Sequence, residues 1–288
     1  NLLCLDIKSN LKKYFIRFVR TSLKINIAKI ISSLIIFFLR KRNVRIKRND
    51  LIWNLDLNEA IDLSIYLSGR FEPSIFFTIK SLAENDKYDY IDIGANNGVH
   101  TLYLAKEFTN SKIYAVEPTN YSFSKLLKNI DLNPNIKKQI IPIQGFITSK
   151  KIKPDSVYTS WELNSKDKKH SQHLGVKKSL ENCKVIKLDE LVEKNNIQQA
   201  IIKCDVDGNE LFVFESGLNF LNKFKPKIVM ELAPYLYPEN GYKSSDLFNF
   251  FKQFDYKYFE VSSKKEIHNI QDFSDAIVTG SSKNIFLV

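Results

Sequence analysis

The strongest constraint on this chain is a change of hydrophobic period across a glycine-bounded turn. Residues 90–106 read YIDIGANNGVHTLYLAK. Tyr90, Ile91 and Ile93 make a short apolar run suited to a buried strand. Gly94 to Gly98 make a tight turn, and Val99 to Ala105 begin an amphipathic helix. A chain with only nine glycines places two of them within five residues here. Strand, glycine turn and helix in that order open folds in which a parallel sheet carries helices on its faces.

The alternation continues. Strands are predicted over 89–93, 112–116, 138–143, 184–188, 200–205 and 227–232, and helices over 98–108, 120–131, 188–195, 208–222 and 244–254. The segments YKYFEVSSKKEIHNI and DAIVTGSSKNIFLV read as closing strands, the usual antiparallel ending of a doubly wound sheet. The expected fold is α/β, a three-layer Rossmann-like sheet with helices on both faces. Residues 149–182 break the rhythm. They are polar and hold Trp161, Lys166 to Lys169, His170 and His173, and so long a connection in a compact domain is expected on the substrate side.

The net charge of +11 and pI of 9.3 suggest a polyanion-binding protein until the charge is located. Residues 1–50 carry thirteen of the 43 Lys and Arg and two of the 32 acids, Asp6 and Asp50, so the other 238 residues hold thirty of each sign. The chain therefore divides into a basic, partly apolar helical arm, 1–50, and a neutral domain, 51–288. In the arm, LKKYFIRFVR and RKRNVRIKR flank the apolar IAKIISSLIIFFL, a pattern suited to peripheral contact with an anionic membrane. The 13-residue apolar run is short for a span, which needs about 20 residues, and no small-residue cleavage site follows it. An ordinary packed helix is the alternative. Cys4, Cys183 and Cys204 lack metal-ligand spacing and read as free thiols, which points to the cytoplasm.

Ligands of open α/β sheets bind beyond the carboxyl ends of the strands. There the sequence places Asp92-x-Gly94-Ala95-Asn96-Asn97-Gly98, with free amides at a helix start, and Glu117-Pro118 closing the next strand. An acid at that second position can hold both hydroxyls of a ribose. The turn lacks the G-x-G-x-x-G spacing of dinucleotide sites, and no G-x-x-x-x-G-K-[ST] occurs, so a nucleoside without phosphates fits best. S-adenosyl-L-methionine is such a ligand.

The stretches WNLDLNEAIDLSIYLSGRFEP, YIDIGANNGVHTLYLA, IYAVEP, VIKLDEL, IIKCDVDGNELFVFESG and KPKIVMEL, in order over roughly 53–232, resemble the FkbM-type S-adenosylmethionine-dependent methyltransferases. The resemblance implies a class I methyltransferase fold and O-methylation of a glycan, lipid-linked saccharide or secondary metabolite. Cofactor-binding candidates are Asp92, Gly94, Ala95, Asn96, Gly98, Glu117, Pro118, Gly145, Phe146 and Asp205. The family usually shows Glu where this chain has Asp207, and often Ile where it has Cys204.

Methyl transfer from a sulfonium is an in-line displacement that rests largely on positioning, with a base needed only for the hydroxyl proton. Asp205 is the first candidate on the reaction side, with Lys203, Asp207 and Glu210 as further catalytic candidates and Glu231 nearby. His170 and His173 are alternatives if the long loop folds over the site, although their cationic setting favours a solvated loop. Asp205 and Glu231 could also hold magnesium, but no metal is assigned. His100 is expected to be packed or hydrogen-bonded, Asp189 to cap a helix, and Trp161 to be a substrate platform or a buried anchor. Two other functions compete: a nucleic-acid methyltransferase or binder, which the neutral body disfavours, and a catalytically inactive cofactor-binding module.

Overall fold

The structure, a computed structural model, describes residues 21–83, 88–159, 161–165, 170–171 and 175–288. The first twenty residues with Cys4, together with Lys166 to Lys169 and His173, lie outside the described residues.

The glycine turn joins β3 (Asp89–Ile93) to α4 (Val99–Glu107) at the middle of a seven-stranded sheet. Before it come α1 (Thr21–Leu39), β1 (Asn43–Arg48), β2 (Leu51–Asp56), α2 (Ala60–Ser68) and α3 (Pro73–Leu82). After it come β4 (Ile113–Val116), α5 (Asn120–Asp131), α6 (Pro134–Lys137), β5 (Ile140–Ile143), β6 (Gly145–Ile147), β7 (Ser156–Tyr158), β8 (Lys177–Ser179) and β9 (Lys184–Ile186). The chain ends with α7 (Leu188–Lys194), β10 (Ala200–Cys204), α8 (Glu210–Glu215), α9 (Leu218–Phe224), β11 (Lys227–Leu232), α10 (Ser244–Lys252), β12 (Tyr258–Glu260), α11 (Ile270–Asp275) and β13 (Lys283–Leu287). The sheet order is β12-β13-β11-β10-β3-β4-β5, parallel from β11 to β5, with β13 antiparallel to both neighbours.

Successive strand residues point to opposite faces, and both faces are covered. Ile91, Ile93, Tyr114, Val116, Ile202 and Met230 pack with α7 to α10 on one side. Tyr90, Ile113, Ala115, Ile201 and Val229 pack with α3 to α6 on the other. The result is the expected three-layer, Rossmann-like α/β architecture. Asp189 caps a helix, though not its own: its carboxylate accepts from the amides of Asn219 and Phe220 in α9.

Three expectations differ in detail. Lys184–Ile186 is a strand, but it pairs with β6 beside the main sheet. The helix predicted over 208–222 is broken at Ser216 and Gly217 into α8 and α9. The two closing strands are separated by α11.

Residues 43–48 of the basic arm are extended: β1 pairs with β2 through the two-residue turn Asn49-Asp50, both at positive φ, as short hairpins require. This hairpin is anchored on α5 and the turn after it: Asn129 Oδ1 accepts from Asn54 N (2.8 Å) and Asn133 Oδ1 from Ile52 N (2.9 Å). Helix α1 packs on Leu57, Leu63 and Leu163, and Ser32 Oγ donates to the Leu57 carbonyl. Among the described residues no helix is long and apolar enough to cross a membrane.

Candidate active site

A cavity opens over the carboxyl ends of β3, β4, β10 and β11, where the parallel strands discharge their loops. The turn after β3 forms its floor. Gly94 and Ala95 donate their amides to the Val116 carbonyl, both at 3.0 Å, which ties the turn to β4. Gly94 has φ +80°, and a Cβ there would lie 1.9 Å from the Asp205 carbonyl oxygen, so only glycine lets the two strand-end loops approach this closely. Asn96 has φ +50°, a region Asn tolerates better than most residues. Its amide reaches Glu117 Oε2 at 3.0 Å. Asn97 turns away from the cavity, donating to Asp62 Oδ1 at 2.6 Å, and Lys125 pairs with the other Asp62 oxygen at 2.7 Å. The segment preceding the sheet thus sets the shape of the turn.

Glu117 caps β4 and is 5% exposed. Its Oε1 accepts from Thr119 N (2.9 Å) and Thr119 Oγ1 (2.6 Å). Burial raises its pKa, against the lowering effect of these bonds. Pro118, Gly145 and Phe146 continue this wall.

The opposite wall is acidic. Asp205 and Asp207 follow β10, Glu231 lies in β11, and Glu72 stands at the start of α3. Asp205, Asp207 and Glu231 each bring one oxygen within 4.8 Å of the others, a spacing that a divalent cation could bridge. Glu231 accepts from Ser282 Oγ, and burial together with Asp205, Glu72 and Asp207 lifts its pKa well above the ordinary value. Glu72 sits at φ +42° immediately before Pro73, accepts from Asn284 Nδ2 at 3.4 Å, and is pushed up to about 7 by burial and Asp205.

Lys203 is the one cation on the cavity wall among the described residues, facing five carboxylates. Only 3% exposed, it donates to the Gly94 carbonyl at 2.9 Å and lies 3.4 Å from both Asp92 Oδ1 and Asp205 Oδ2. Burial works against its charge, but Asp205, Asp92 and Glu72 more than offset this and its pKa rises. A lysine so held is a fixed cation, not a proton carrier.

Three predicted site residues lie behind the wall. Asp92 is fully buried, accepting from Thr101 Oγ1 at 2.6 Å and facing Lys203, so it braces the turn from beneath. Gly98 begins α4 against Leu126 and Leu102. Glu210 points into the core, where it accepts from Gly208 N (3.2 Å) and Tyr242 Oη (3.3 Å), because α8 starts there and turns its first residue inward. Gly94, Ala95, Asn96, Glu117, Pro118, Gly145, Phe146, Lys203, Asp205 and Asp207 line the cavity together.

His170 is engaged elsewhere. Its Nε2 contacts Glu239 at 2.8 Å and its ring stands edge-on to Tyr158, so it anchors the long connection. Trp161, partly buried, lines the cavity and also packs against the cluster beneath α1.

Glu72 and His100 were not singled out as site residues by the sequence. His100 lines the cavity with Nε2 lacking a hydrogen-bond partner among the described residues. Burial and Lys203 push it down to about 4, so its imidazole is neutral. The signal for Glu72 was its place before Pro73, where a helix start is forced.

A family model described as the methyltransferase FkbM domain matches residues 92–258. Solved structures with similar folds include a methyltransferase FkbM from Methylobacillus flagellatus KT, at 14% identity and a TM-score of 0.44. That match covers 75% of this chain and 47% of the other, so the chain spans about half of that protein. M. jannaschii TYW2 in complex with AdoMet matches at 13% identity over 86% of this chain and 84% of its own, with a TM-score of 0.38. The METTL16 MTase domain matches at 12% identity over 82% and 72%, with a TM-score of 0.43. No curated protein matches the sequence significantly. With the family model covering more than half of its length, the chain belongs to the FkbM methyltransferases, a family of S-adenosylmethionine-dependent enzymes.

Proposed function

We propose that this protein is an O-methyltransferase that binds S-adenosyl-L-methionine and methylates a hydroxyl of a glycan, lipid-linked saccharide or secondary metabolite. The observation that carries this reading is the convergence in one cavity of a glycine turn braced on Glu117 with a separate wall of Glu72, Asp205, Asp207 and Glu231. The residues fit the cofactor. Gly94 and Ala95 line the cavity, Gly94 letting the turn close against the Asp205 loop, the Asn96 backbone amide donates to Glu117, and Glu117 offers a carboxylate to a diol.

S-adenosylmethionine supplies a methyl group on a sulfonium sulfur, and the chain's own residues do the rest. Glu117 and the turn orient the nucleoside. The carboxylates opposite accept hydrogen bonds from a hydroxylated acceptor and align it. Glu72 or Asp205 takes the hydroxyl proton as the oxygen–carbon bond forms, and Glu72 is suited to this because its carboxyl titrates at about 7. A polyanionic acceptor fits poorly, since acidic side chains outnumber Lys203 on the cavity wall. The buried, unpaired Cys183 and Cys204 accord with a reducing cytoplasmic setting.

The test is calorimetric titration with S-adenosylmethionine and S-adenosylhomocysteine, beside the Glu117→Ala variant. The variant should bind each about tenfold more weakly or worse, as loss of a hydrogen bond to a charged group implies. Equal affinity would remove Glu117 from the cofactor site. Normal binding without methyl transfer to any of a broad set of glycosides and phenols would favour an inactive binding module instead.

A further inference from the structure

Helix α1 is apolar on two opposite sides, and among the described residues it is packed on only one. Its inner side carries Ile25, Ala28, Ser32, Ile35 and Ile36 against Leu57, Leu63 and Leu163. On the outer side Leu23, Ile27, Ile30, Leu34, Phe37 and Phe38 recur at helical spacing and are 48–78% exposed. A two-sided apolar helix is ordinarily buried on both sides, and a contiguous exposed stripe marks an interaction surface.

The charge around the stripe selects the partner. No acid occurs from residue 21 to residue 49. Lys24 and Lys29 flank the stripe, Arg40 and Lys41 follow its C-terminal end, and Arg45 is exposed on the neighbouring strand. A second copy meeting this face about a twofold axis would set these cations against themselves with no acid between them. A nucleic acid would satisfy the cations but leave the Leu, Ile and Phe side chains in water. An anionic bilayer surface satisfies both, taking the apolar side chains at the acyl boundary and the cations at its phosphates.

We infer that the outer face of α1 docks on the surface of an anionic lipid bilayer, lying in the interface and not crossing it. Trp161 packs against the inner side of the α1 cluster and also lines the cavity, so the docked helix lies one side-chain layer from the candidate active site. The surface would bring the cavity to acceptors displayed on a membrane.

Flotation of the full chain with phosphatidylcholine liposomes, with and without phosphatidylglycerol, tests this. The protein should float with the anionic liposomes and be released by salt. Phe37→Ser combined with Phe38→Ser should weaken flotation at least tenfold, and both positions are exposed, so the fold is retained. Arg40→Ser combined with Lys41→Ser should weaken it roughly thirtyfold, from about 1 kcal/mol per cation. S-adenosylhomocysteine affinity, measured on the same preparations, should be unchanged in both variants. Absence of flotation, flotation undiminished by the phenylalanine changes, or a dimer in sedimentation that those changes dissolve would each overturn the inference. So would salt-sensitive retention on RNA in place of liposomes.

Discussion

Replacing Lys203 by methionine distinguishes a structural cation from a catalytic one. Methionine nearly preserves volume, so the change is chiefly electrostatic. The lost ammonium leaves the Gly94 carbonyl without its 2.9 Å donor and Asp92 without the cation 3.4 Å away. Asp92 is fully buried, and among the described residues its carboxylate has, apart from Lys203, only the Thr101 hydroxyl as a hydrogen-bond partner, so the variant holds an uncompensated buried charge. Stranding one member of such a pair costs about 3–5 kcal/mol. Asp205, whose side chain is 31% exposed, keeps part of its hydration and adds little. The expected loss at neutral pH is therefore about 3 kcal/mol, read from urea unfolding followed by tryptophan fluorescence. Adding Asp92→Asn removes the stranded charge and should restore roughly 2 kcal/mol, so the cycle should be strongly non-additive. A single-variant cost below about 1 kcal/mol, or a double variant equal to the sum of the singles, would refute the assignment of Lys203 as a brace.

Other perturbations probe the turn and the acidic wall. Gly94→Ala, which places a methyl group 1.9 Å from the Asp205 carbonyl oxygen at φ +80°, should lose cofactor binding in calorimetry and cost about 2 kcal/mol or more in urea unfolding. Glu72→Gln should lower methyl transfer by about 10²-fold or more, measured with labelled methyl donor and an active acceptor. In the parent, the rate should rise as pH passes through about 7, because Glu72 must be ionised to accept a proton, and the variant should lose that limb. Thermal midpoints should be higher at pH 6.5 than at about pH 8. Burial raises Glu59, Glu72 and Glu210 to about 7, so the folded state holds their protons more tightly and loses stability as they ionise. His100, pushed down to about 4 by burial, acts with the opposite sign, but its unfolded form is already half deprotonated at 6.5, so one histidine offsets only a minor part of the effect of three carboxyls. An equal or higher midpoint at the higher pH would contradict the buried carboxyl assignments.

What the sequence discloses is what local chemistry determines. The Gly94 turn is legible because few other residues fit its backbone, and Glu117 because a strand end followed by proline fixes its height above the sheet. The two-sided burial of β3, β4, β10 and β11 is visible as predominantly apolar runs, interrupted only by Asp92, Lys203 and Glu231 near their carboxyl ends. Long-range pairing is not. Nothing local says that Lys184–Ile186 joins β6 beside the main sheet, or that Asn97 answers to Asp62 thirty-five residues earlier. Glu210 illustrates the limit most directly. Its place at a helix start five residues after Asp205 looks catalytic, yet the rotation of α8 buries it against Tyr242.

Glu72 shows why the proposed acceptor side is harder to read than the proposed cofactor side. The wall proposed for the cofactor is made chiefly by short runs of residues at strand ends, so spacing alone reports it. The other wall is assembled from distant segments: Ile61, Phe71 and Glu72 from before the sheet, Asp205 and Glu231 from two strands, and Gly280 to Ser282 from the loop before β13. The outer members of that wall lie beyond the 92–258 core matched by the family model. A core that binds one cofactor across many acceptors needs its acceptor contacts where they can change without disturbing the turn. Selectivity should then follow Ile61, Phe71, Glu72 and residues 280–282, and the polar and aromatic chemistry that these residues offer the cavity is carboxylate, hydroxyl and phenyl, which suits a hydroxylated neutral acceptor.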